Sequence, residues 1–154
     1  MPRILVINGP NLNMLGIREK NIYGQQSLDD INRELQLLAD QQSIQVEFFQ
    51  SNHEGELVDE IQKAYQRVDF IIINPGALTH YSIALLDALK AVDIPYIEVH
   101  LSNIYQRETF RQHSLFSSTA QGGIFGLGAY GYKLALLAAC DLLRQVPEDD
   151  NRLA

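Results

Sequence analysis

Short runs of apolar residues alternate along the chain with longer stretches in which apolar residues recur at helical spacing. Residues 3–8 and 69–74 are continuous apolar runs, which is typical of strands buried on both faces of a parallel sheet. Residues 44–50, 95–100 and 121–125 predict three further strands. The pattern therefore predicts five strands that are separated by helical segments.

The first helical stretch follows a start signal near Ser27. Ser27 with Asp30 three residues later resembles a capping box, in which each side chain accepts a hydrogen bond from the other residue's backbone N–H. Ile31, Leu35 and Leu38 then recur on one helical face. We therefore expect an amphipathic helix that turns this face toward the core.

Three further helices are expected, at residues 54–66, 79–92 and 129–146. The inward face of the helix at 54–66 is expected to consist of Leu57, Ile61, Ala64 and Tyr65. Strands that alternate with helices predict a doubly wound α/β fold, here a flavodoxin-like three-layer sandwich with a five-stranded parallel sheet. The length fits one domain spanning residues 1–154.

Polar residues collect at the ends of the predicted strands. Asn8 ends the first strand, and Asn74 ends the third, with His80 shortly after it. His100 ends the fourth strand. In doubly wound folds, ligands bind outside the carboxyl ends of the strands, where the strand order reverses. The sequence therefore predicts a site that is formed by these side chains.

A long loop, residues 9–26, follows the first strand and is expected to form a lid over this site. It carries Arg18 and Tyr23. One interpretation is an exposed arginine and an anchoring tyrosine; the other is a tyrosine made acidic by the neighbouring guanidinium. A free tyrosine has a pKa of about 10, and each unit of lowering needs about 1.4 kcal/mol. Both interpretations stay open from the residues alone.

Glu98 and His100 are two residues apart on one strand and therefore share a face. The carboxylate is placed to orient and charge the imidazole, which gives a histidine able to donate a proton. The alternative is a structural histidine, but the strand-end position favours function. Asp87, in an otherwise apolar helical run, indicates an exposed face or a subunit contact. His53 and His113 are expected on the surface.

Composition narrows the class of protein. With 46% hydrophobic and 20% charged residues the chain is globular, and a net charge of −7 argues against nucleic acid or an anionic membrane as a partner. An acidic tail at about residues 147–154 is expected to be solvated. The chain leads straight into a strand with no room for a signal peptide, and its single cysteine, Cys140, forms no internal disulfide. These features predict a cytoplasmic protein.

Several other chemistries are disfavoured. Residues 126–131 fit the dinucleotide pattern G-x-G-x-x-G, but no strand follows to carry a ribose-binding acid, so tight turning and close packing are the expected roles of these glycines. The dispersed histidines predict no metal site. The lysines available for a Schiff base lie in a loop or on helices that look solvent-facing; they are Lys20, Lys63, Lys90 and Lys133.

Several separate motifs occur in a recognisable order. They are INGPNLNMLGIRE at residues 7–19 with Tyr23-Gly24, NPGA at 74–77, EVHLSN at 98–103, and Gly126-Leu-Gly128 with Gly131-Tyr132. Together they resemble the type II 3-dehydroquinate dehydratase family, and the resemblance spans nearly the whole chain. It implies loss of water from 3-dehydroquinate to give 3-dehydroshikimate in the shikimate pathway, by anti elimination through an enolate and without a cofactor, metal or imine.

The resemblance also implies roles for individual residues. Tyr23 would act as the base in its tyrosinate form, and Arg18 would lower its pKa and stabilise the transition state. Asn11 would stabilise the enolate through an ordered water, and His100 would protonate the departing hydroxyl with Glu98 behind it. The residues implied in substrate binding are Asn74, His80, Asp87, Leu101, Ser102 and Arg111.

The family assembles as a dodecamer of four trimers, which implies that Asp87 reaches the site of a neighbouring subunit. The chain departs from the family pattern at Lys20, at Tyr105-Gln106 and at Phe125, which puts lid stiffness and inhibitor preference in question. The alternatives are a non-catalytic flavodoxin-like module that binds a nucleotide or phosphate, and an inactive structural relative. The residues that match the proton-transfer positions, Arg18 and Tyr23 among them, argue against the inactive relative.

Overall fold

The computed structural model describes residues 1–17 and 25–145. Its strands are β1 Arg3–Asn8, β2 Gln45–Gln50, β3 Phe70–Asn74, β4 Tyr96–His100 and β5 Gly122–Phe125. Its α-helices are α1 Leu28–Gln41, α2 Glu54–Lys63, α3 Ile83–Val92 and α4 Tyr130–Arg144. Short 3-10 turns lie at Leu12–Met14, Gly76–His80, Ile104–Gln106 and Thr109–Arg111. No helix within the described ranges has the length and apolar character needed to span a membrane.

The strands form one parallel sheet in the order β2-β1-β3-β4-β5. The chain moves outward from β1 to β2, then returns past β1 to build the other half of the sheet from β3 to β5. Strands β1 and β3 therefore lie side by side at the point where the direction of winding changes, with Asn8 paired in register with Asn74. The predicted flavodoxin-like fold is confirmed, and its switch point lies between these two strands.

Strand β1 shows why the apolar runs are continuous. Ile4 and Val6 belong to a core cluster with residues of α1 and α4, whereas Leu5 and Ile7 belong to a cluster with residues of α2 and α3. Successive side chains of a strand point to opposite faces, so both faces need apolar residues. The helices consequently cover both faces of the sheet. The polar residues lie at the carboxyl ends of the strands, which the helices leave uncovered.

The capping box at the start of α1 is confirmed. Ser27 Oγ accepts a hydrogen bond from the Asp30 backbone N–H at 3.1 Å, and Asp30 Oδ2 accepts one from the Ser27 backbone N–H at 3.2 Å. Ile31 and Leu35 are buried, and Leu38 packs against the same cluster. The local signal for the start of this helix was therefore sufficient.

The predicted inward position of Tyr65 is wrong. Helix α2 ends at Lys63, so Tyr65 lies in the following turn rather than on the helix face, and its side chain is 56% exposed. The helix expected at 54–66 is accordingly three residues shorter than its pattern suggests. Leu57, Ile61 and Ala64 are buried as predicted.

The helix expected at 79–92 is divided in the structure. Residues Gly76–His80 form a 3-10 turn, and α3 begins only at Ile83. The physical reason is Ser82, whose Oγ accepts a hydrogen bond from the Leu85 backbone N–H at 3.1 Å and caps the helix there. His80 is therefore carried by a tight turn at the mouth of the site rather than by a helix.

Candidate active site

A cavity of about 210 Å³ opens at the carboxyl ends of β1, β3 and β4. Its walls come from the segments that follow these three strands. The residues that line it are Pro10, Asn11, Leu12, Leu15, Asn74, Gly76, Ala77, His80, His100, Leu101, Ser102, Ile104, Arg107 and Arg111. The cavity lies at the switch point of the sheet, where the fold rule predicts a ligand site.

Most residues proposed from the sequence meet in this cavity. They are Asn11, Asn74, His80, His100, Leu101, Ser102 and Arg111. Glu98 lies directly beneath, bonded to His100. Arg18 and Tyr23 fall outside the described residues. Asp87 lies on the exposed side of α3 and does not line this cavity.

The floor of the cavity holds a buried acid–imidazole pair. His100 Nε2 lies 2.5 Å from Glu98 Oε2, and Glu98 is 2% exposed. The same carboxylate accepts hydrogen bonds from the hydroxyls of Ser114 at 2.7 Å and Ser117 at 2.6 Å. Burial by itself raises the pKa of Glu98, but the hydrogen bonds and charge of His100 and the two serine hydroxyls outweigh it, so the pKa lies below its usual value.

This pairing fixes the roles of the imidazole nitrogens. A carboxylate only accepts hydrogen bonds, so Nε2 of His100 carries the hydrogen that points to Glu98. Nδ1 is then the nitrogen left for a ligand, and it donates a proton only when the ring carries both hydrogens. The charge of Glu98 compensates that imidazolium. The pair is therefore arranged to deliver a proton at the end of β4.

His80 is oriented by the chain itself. Its Nδ1 lies 2.7 Å from the backbone oxygen of His113, and since a carbonyl only accepts, Nδ1 is the donor. Nε2 is left as an acceptor from a ligand hydroxyl in the neutral ring, and as a donor in the charged ring. The side chain of His113 is exposed, as predicted, yet its carbonyl supports the site.

Positive charge is concentrated on one wall of the cavity. Arg111 lines it from the turn Thr109–Arg111, where its Nε donates to Glu108 at 2.8 Å and its guanidinium lies 5.1 Å from the centroid of the Phe110 ring. Arg107, which was not predicted from the sequence, also lines the cavity. Among the described residues lining the cavity there is no Asp or Glu. The wall therefore suits an anion on a protein whose net charge is −7.

Asn74 presents a side-chain amide whose orientation is fixed by two hydrogen bonds. Its Oδ1 accepts a hydrogen bond from the Gly76 backbone N–H at 3.1 Å, and its Nδ2 donates to the Tyr132 hydroxyl at 2.9 Å. Tyr132 comes from the first turn of α4 and is wholly buried. In the sequence, Tyr132 stands out only as part of the Gly131-Tyr132 motif, which gives no signal for a role in the site.

Asn11 lies at the rim of the cavity in a left-handed conformation, with φ of 70°. Its backbone N–H donates to Asn52 Oδ1 at 2.9 Å, and Asn52 Oδ1 also accepts from Gln50 Nε2 at 3.2 Å. Asparagine tolerates this region better than most residues. The loop after β1 is thereby tied to the loop after β2, and the Asn11 side chain is exposed at the rim.

The glycine-rich segment after β5 serves packing, as predicted. The backbone N–H of Gly126 donates to the His100 carbonyl at 3.2 Å, and that of Gly128 donates to the Leu101 carbonyl at 3.0 Å. Gly126 has φ of +82°, and a Cβ there would lie 3.1 Å from Cβ of Asn103. The segment therefore holds the end of β4 in place.

Two departures from the family pattern lie away from the cavity. Tyr105 and Phe125 contact each other edge to face, with ring centroids 5.1 Å apart, and both are largely exposed. Neither is among the described residues that line the cavity. Lys20, the third departure, lies outside the described residues.

The described lysines also stand apart from the site. Lys63 and Lys90 are exposed, and Lys133 pairs with Glu34 at 3.3 Å. None of the three lines the cavity. Within residues 1–17 and 25–145, no three His, Cys, Asp or Glu side chains are grouped to hold a metal ion.

Comparison with known proteins places these features in a family. Residues 2–140 match the model of dehydroquinase class II. A 3-dehydroquinate dehydratase of Polynucleobacter asymbioticus is 62% identical over 92% of this chain and 96% of its own, and one of Haemophilus influenzae is 57% identical over 92% and 95%. The crystal structure of type II dehydroquinase from Butyrivibrio crossotus superposes with a TM-score of 0.88 at 49% identity, covering 90% of this chain and 97% of that one. The chain belongs to the class II dehydroquinase family.

Proposed function

We propose that this chain removes water from 3-dehydroquinate to give 3-dehydroshikimate, as a type II 3-dehydroquinate dehydratase. Membership of the family and relatives of that name at 57–62% identity support the activity. The observation that carries the proposal is the Glu98–His100 pair, which lies at the floor of a cavity whose described lining carries two arginines and no carboxylate. A proton donor facing an anion-binding wall suits a substrate that is a carboxylate with a leaving hydroxyl.

The first step of the proposed reaction is proton removal next to the ketone. In our proposal Tyr23, as tyrosinate, takes that proton, and the C–H electrons form an enolate whose charge rests on the ketone oxygen. Arg18 favours the tyrosinate and the developing charge. Asn11, at the rim of the cavity, stabilises the enolate through an ordered water. The support for Tyr23 and Arg18 is their position in the family motif.

The second step is loss of the hydroxyl. The enolate electrons return to re-form the ketone and the new C=C bond, and the C–O bond breaks as His100 Nδ1 delivers a proton, so the leaving group departs as water. The contact of Nε2 with Glu98 at 2.5 Å supports this role, because it leaves Nδ1 for the substrate. In this proposal Tyr23 and His100 act on opposite faces of the substrate ring, which is what an anti elimination requires.

The remaining cavity residues are proposed to hold the substrate. Arg111 suits the carboxylate, since a guanidinium binds carboxylates through paired hydrogen bonds. Asn74, His80 and the Leu101–Ser102 segment provide donors and acceptors for the hydroxyl groups. These contacts orient the ring between base and acid.

The assembly and location are also proposals. A homododecamer of four trimers would bring Asp87 of one subunit to the site of a neighbour, and its exposed position on α3 is compatible with such a contact. We propose the cytoplasm as the location, since the composition and the single cysteine suit a reducing compartment. Neither nucleic acid nor membrane is expected as a partner.

The activity is tested by direct assay. Purified protein is treated with a chelator and mixed with 3-dehydroquinate, and the ultraviolet absorbance of the conjugated enone product is followed. We expect absorbance to rise, and the rise to vanish in His100→Ala, because the leaving hydroxyl then lacks its proton donor. A flat trace with the wild-type protein would refute the dehydratase proposal.

The alternative of a non-catalytic nucleotide- or phosphate-binding module has no observation in its favour. The glycines of the segment after β5 hold the end of β4 through backbone hydrogen bonds to His100 and Leu101. They are thus already used in packing.

A further inference from the structure

We propose that Tyr132 is a positioning residue that fixes the side-chain amide of Asn74, so that Asn74 offers the substrate an N–H donor and not a carbonyl acceptor. The inference rests on the proposed function, since it concerns how that substrate is held. Tyr132 lies on α4, behind Asn74, and it is not among the residues that line the cavity.

The network is a chain of three side chains at the switch point of the sheet. Nδ2 of Asn74 donates to the Tyr132 hydroxyl at 2.9 Å, and that hydroxyl donates to Asn8 Oδ1 at 2.5 Å. Asn8 and Asn74 are register partners at the ends of β1 and β3. All three residues are buried, with exposures of 1% for Asn8, 3% for Asn74 and 0% for Tyr132.

The direction of each hydrogen bond follows from the one before it. The Tyr132 hydroxyl has a single hydrogen, and Asn8 Oδ1 takes it, so toward Asn74 the hydroxyl oxygen is an acceptor. Asn74 must therefore turn its NH₂ group, and not its carbonyl, toward Tyr132. The Gly76 N–H, which donates to Asn74 Oδ1 at 3.1 Å, fixes the same orientation from the other side.

One hydrogen of the Asn74 amide remains after these bonds are made. Nδ2 carries two hydrogens, and Tyr132 receives one of them. Because Asn74 lines the cavity, the second hydrogen is the polar group that it offers there. The network thus selects a substrate atom with a lone pair at this point of the site.

The hydroxyl of Tyr132 serves these hydrogen bonds and is not needed for packing of the core. Phenylalanine would fill the same volume in the core cluster, so the phenol oxygen is present for its hydrogen bonds. Burial also raises the pKa of Tyr132, which keeps the hydroxyl protonated and able to donate to Asn8. This tyrosine is therefore not a second candidate for the base.

The test is a double-mutant cycle in the dehydration assay with Tyr132→Phe, Asn74→Ala and the double variant. We expect Tyr132→Phe to lower kcat/KM by about tenfold, the worth of one neutral hydrogen bond. The loss should be mainly a rise in KM, with kcat within about threefold, because the amide holds the substrate in the ground state and transition state alike. In the Asn74→Ala background, Tyr132→Phe should change kcat/KM by less than about twofold.

A matched control separates positioning from general loss of stability. Ile4→Val removes one methyl group from the same core cluster, at the opposite end of β1 from Asn8. It should lower the thermal midpoint and leave kcat/KM unchanged. Circular dichroism and the mass of the assembly confirm that each variant is folded.

Three outcomes are distinguishable. A cycle with strong coupling supports the inference. Equal losses from Tyr132→Phe in both backgrounds, or no change in KM in the single variant, would overturn it while the wild-type activity stands. An inactive wild-type protein would instead refute the proposed function and, with it, this inference.

Discussion

The carboxylate of Glu98 is buried and surrounded by hydrogen-bond donors. It is 2% exposed, and a buried carboxylate is stable as an anion only where donors surround it. Here His100 and the hydroxyls of Ser114 and Ser117 supply those donors. The negative charge beside the imidazole is therefore stabilised by the His100 ring and by both serine hydroxyls together.

The lowered pKa of Glu98 makes stability depend on pH. A carboxyl group with a lowered folded-state pKa stabilises the protein above its unfolded value of about 4.5, and this contribution is lost as pH falls through the folded value. We expect Glu98→Gln to lower the free energy of unfolding at pH 7 by about 1.5–3 kcal/mol. The difference from wild type should shrink below pH 4.5. Urea unfolding at a series of pH values measures both.

The control for this prediction is Asp59→Asn, a change to an exposed carboxyl of α2. It should leave the pH dependence as in wild type. A Glu98→Gln variant whose deficit is constant from pH 7 to pH 3 would show that the carboxylate contributes through shape and not through charge.

Prediction from sequence was successful for residues whose signal is local. Glu98 and His100 share a strand face, and Asn74 ends a strand, so their positions follow from periodicity and fold rules. Ser114 and Tyr132 gave no such signal. Ser114 reaches Glu98 from a loop 16 residues away, and Tyr132 is 58 residues from Asn74. Only the tertiary fold reveals such partners.

At the scale of elements, the loops after β1 and β3 pack backbone against backbone. The Gly9 N–H donates to the Asn74 carbonyl at 2.8 Å, and an added Cβ on Gly9 would lie 2.3 Å from the Pro75 oxygen. A Cβ cannot occupy that space, so glycine is required for the two loops to meet. This contact brings the rim that carries Asn11 next to the turn that carries His80.

Two glycine substitutions should therefore have opposite effects. Gly9→Ala should lower the free energy of unfolding by more than about 2 kcal/mol, because the loops must separate. Gly55→Ala, in the exposed first turn of α2 with no atom within 4 Å of the added Cβ, should raise it by about 0.5–1 kcal/mol. Chemical denaturation compares the pair. A stable Gly9→Ala variant would contradict the packing argument.

Element boundaries were predictable where capping chemistry was read correctly. Ser27 and Asp30 gave the start of α1 because the box is a local signal. The start of α3 was placed too early, at Thr79 and not at Ile83. Thr79 instead donates through Oγ1 to the Gly76 carbonyl at 2.6 Å inside a 3-10 turn, and Ser82 is the cap. Two possible caps three residues apart cannot be ranked without the tertiary structure.

At the scale of the whole molecule, the apolar surface of α3 matters for the proposed assembly. Tyr81, just before α3, and Ile83, its first residue, are each 64% exposed, and Asp87 follows Ile83 by one helical turn on the same face. A face that exposes apolar side chains is typical of a subunit contact, and Asp87 on the same face is the acid proposed to reach a neighbour's site. This face therefore supports the proposal that subunits share their sites.

The assembly is tested with two variants on this face. Wild-type protein should have twelve times the 17.4 kDa mass of one chain by light scattering. Ile83→Lys should give smaller species and lower kcat/KM, because a buried charge opposes the contact. Asp87→Ala should keep the full mass and lose activity alone. A wild-type monomer, or full activity in a dissociated Ile83→Lys variant, would refute the shared site.

The geometry of the active site depends on strand β5, which is the least protected strand of the sheet. It is a short edge strand with largely exposed residues, and the segment that follows it supplies N–H groups to the carbonyls of His100 and Leu101. Edge elements open locally at a lower free energy than the core. Each local opening of β5 would break the hydrogen bonds to the backbone of His100 and Leu101, while both helical layers stay packed. As denaturant concentration is raised, catalytic turnover would therefore fall before the helical circular dichroism signal falls. The native ensemble would contain molecules that are folded but inactive.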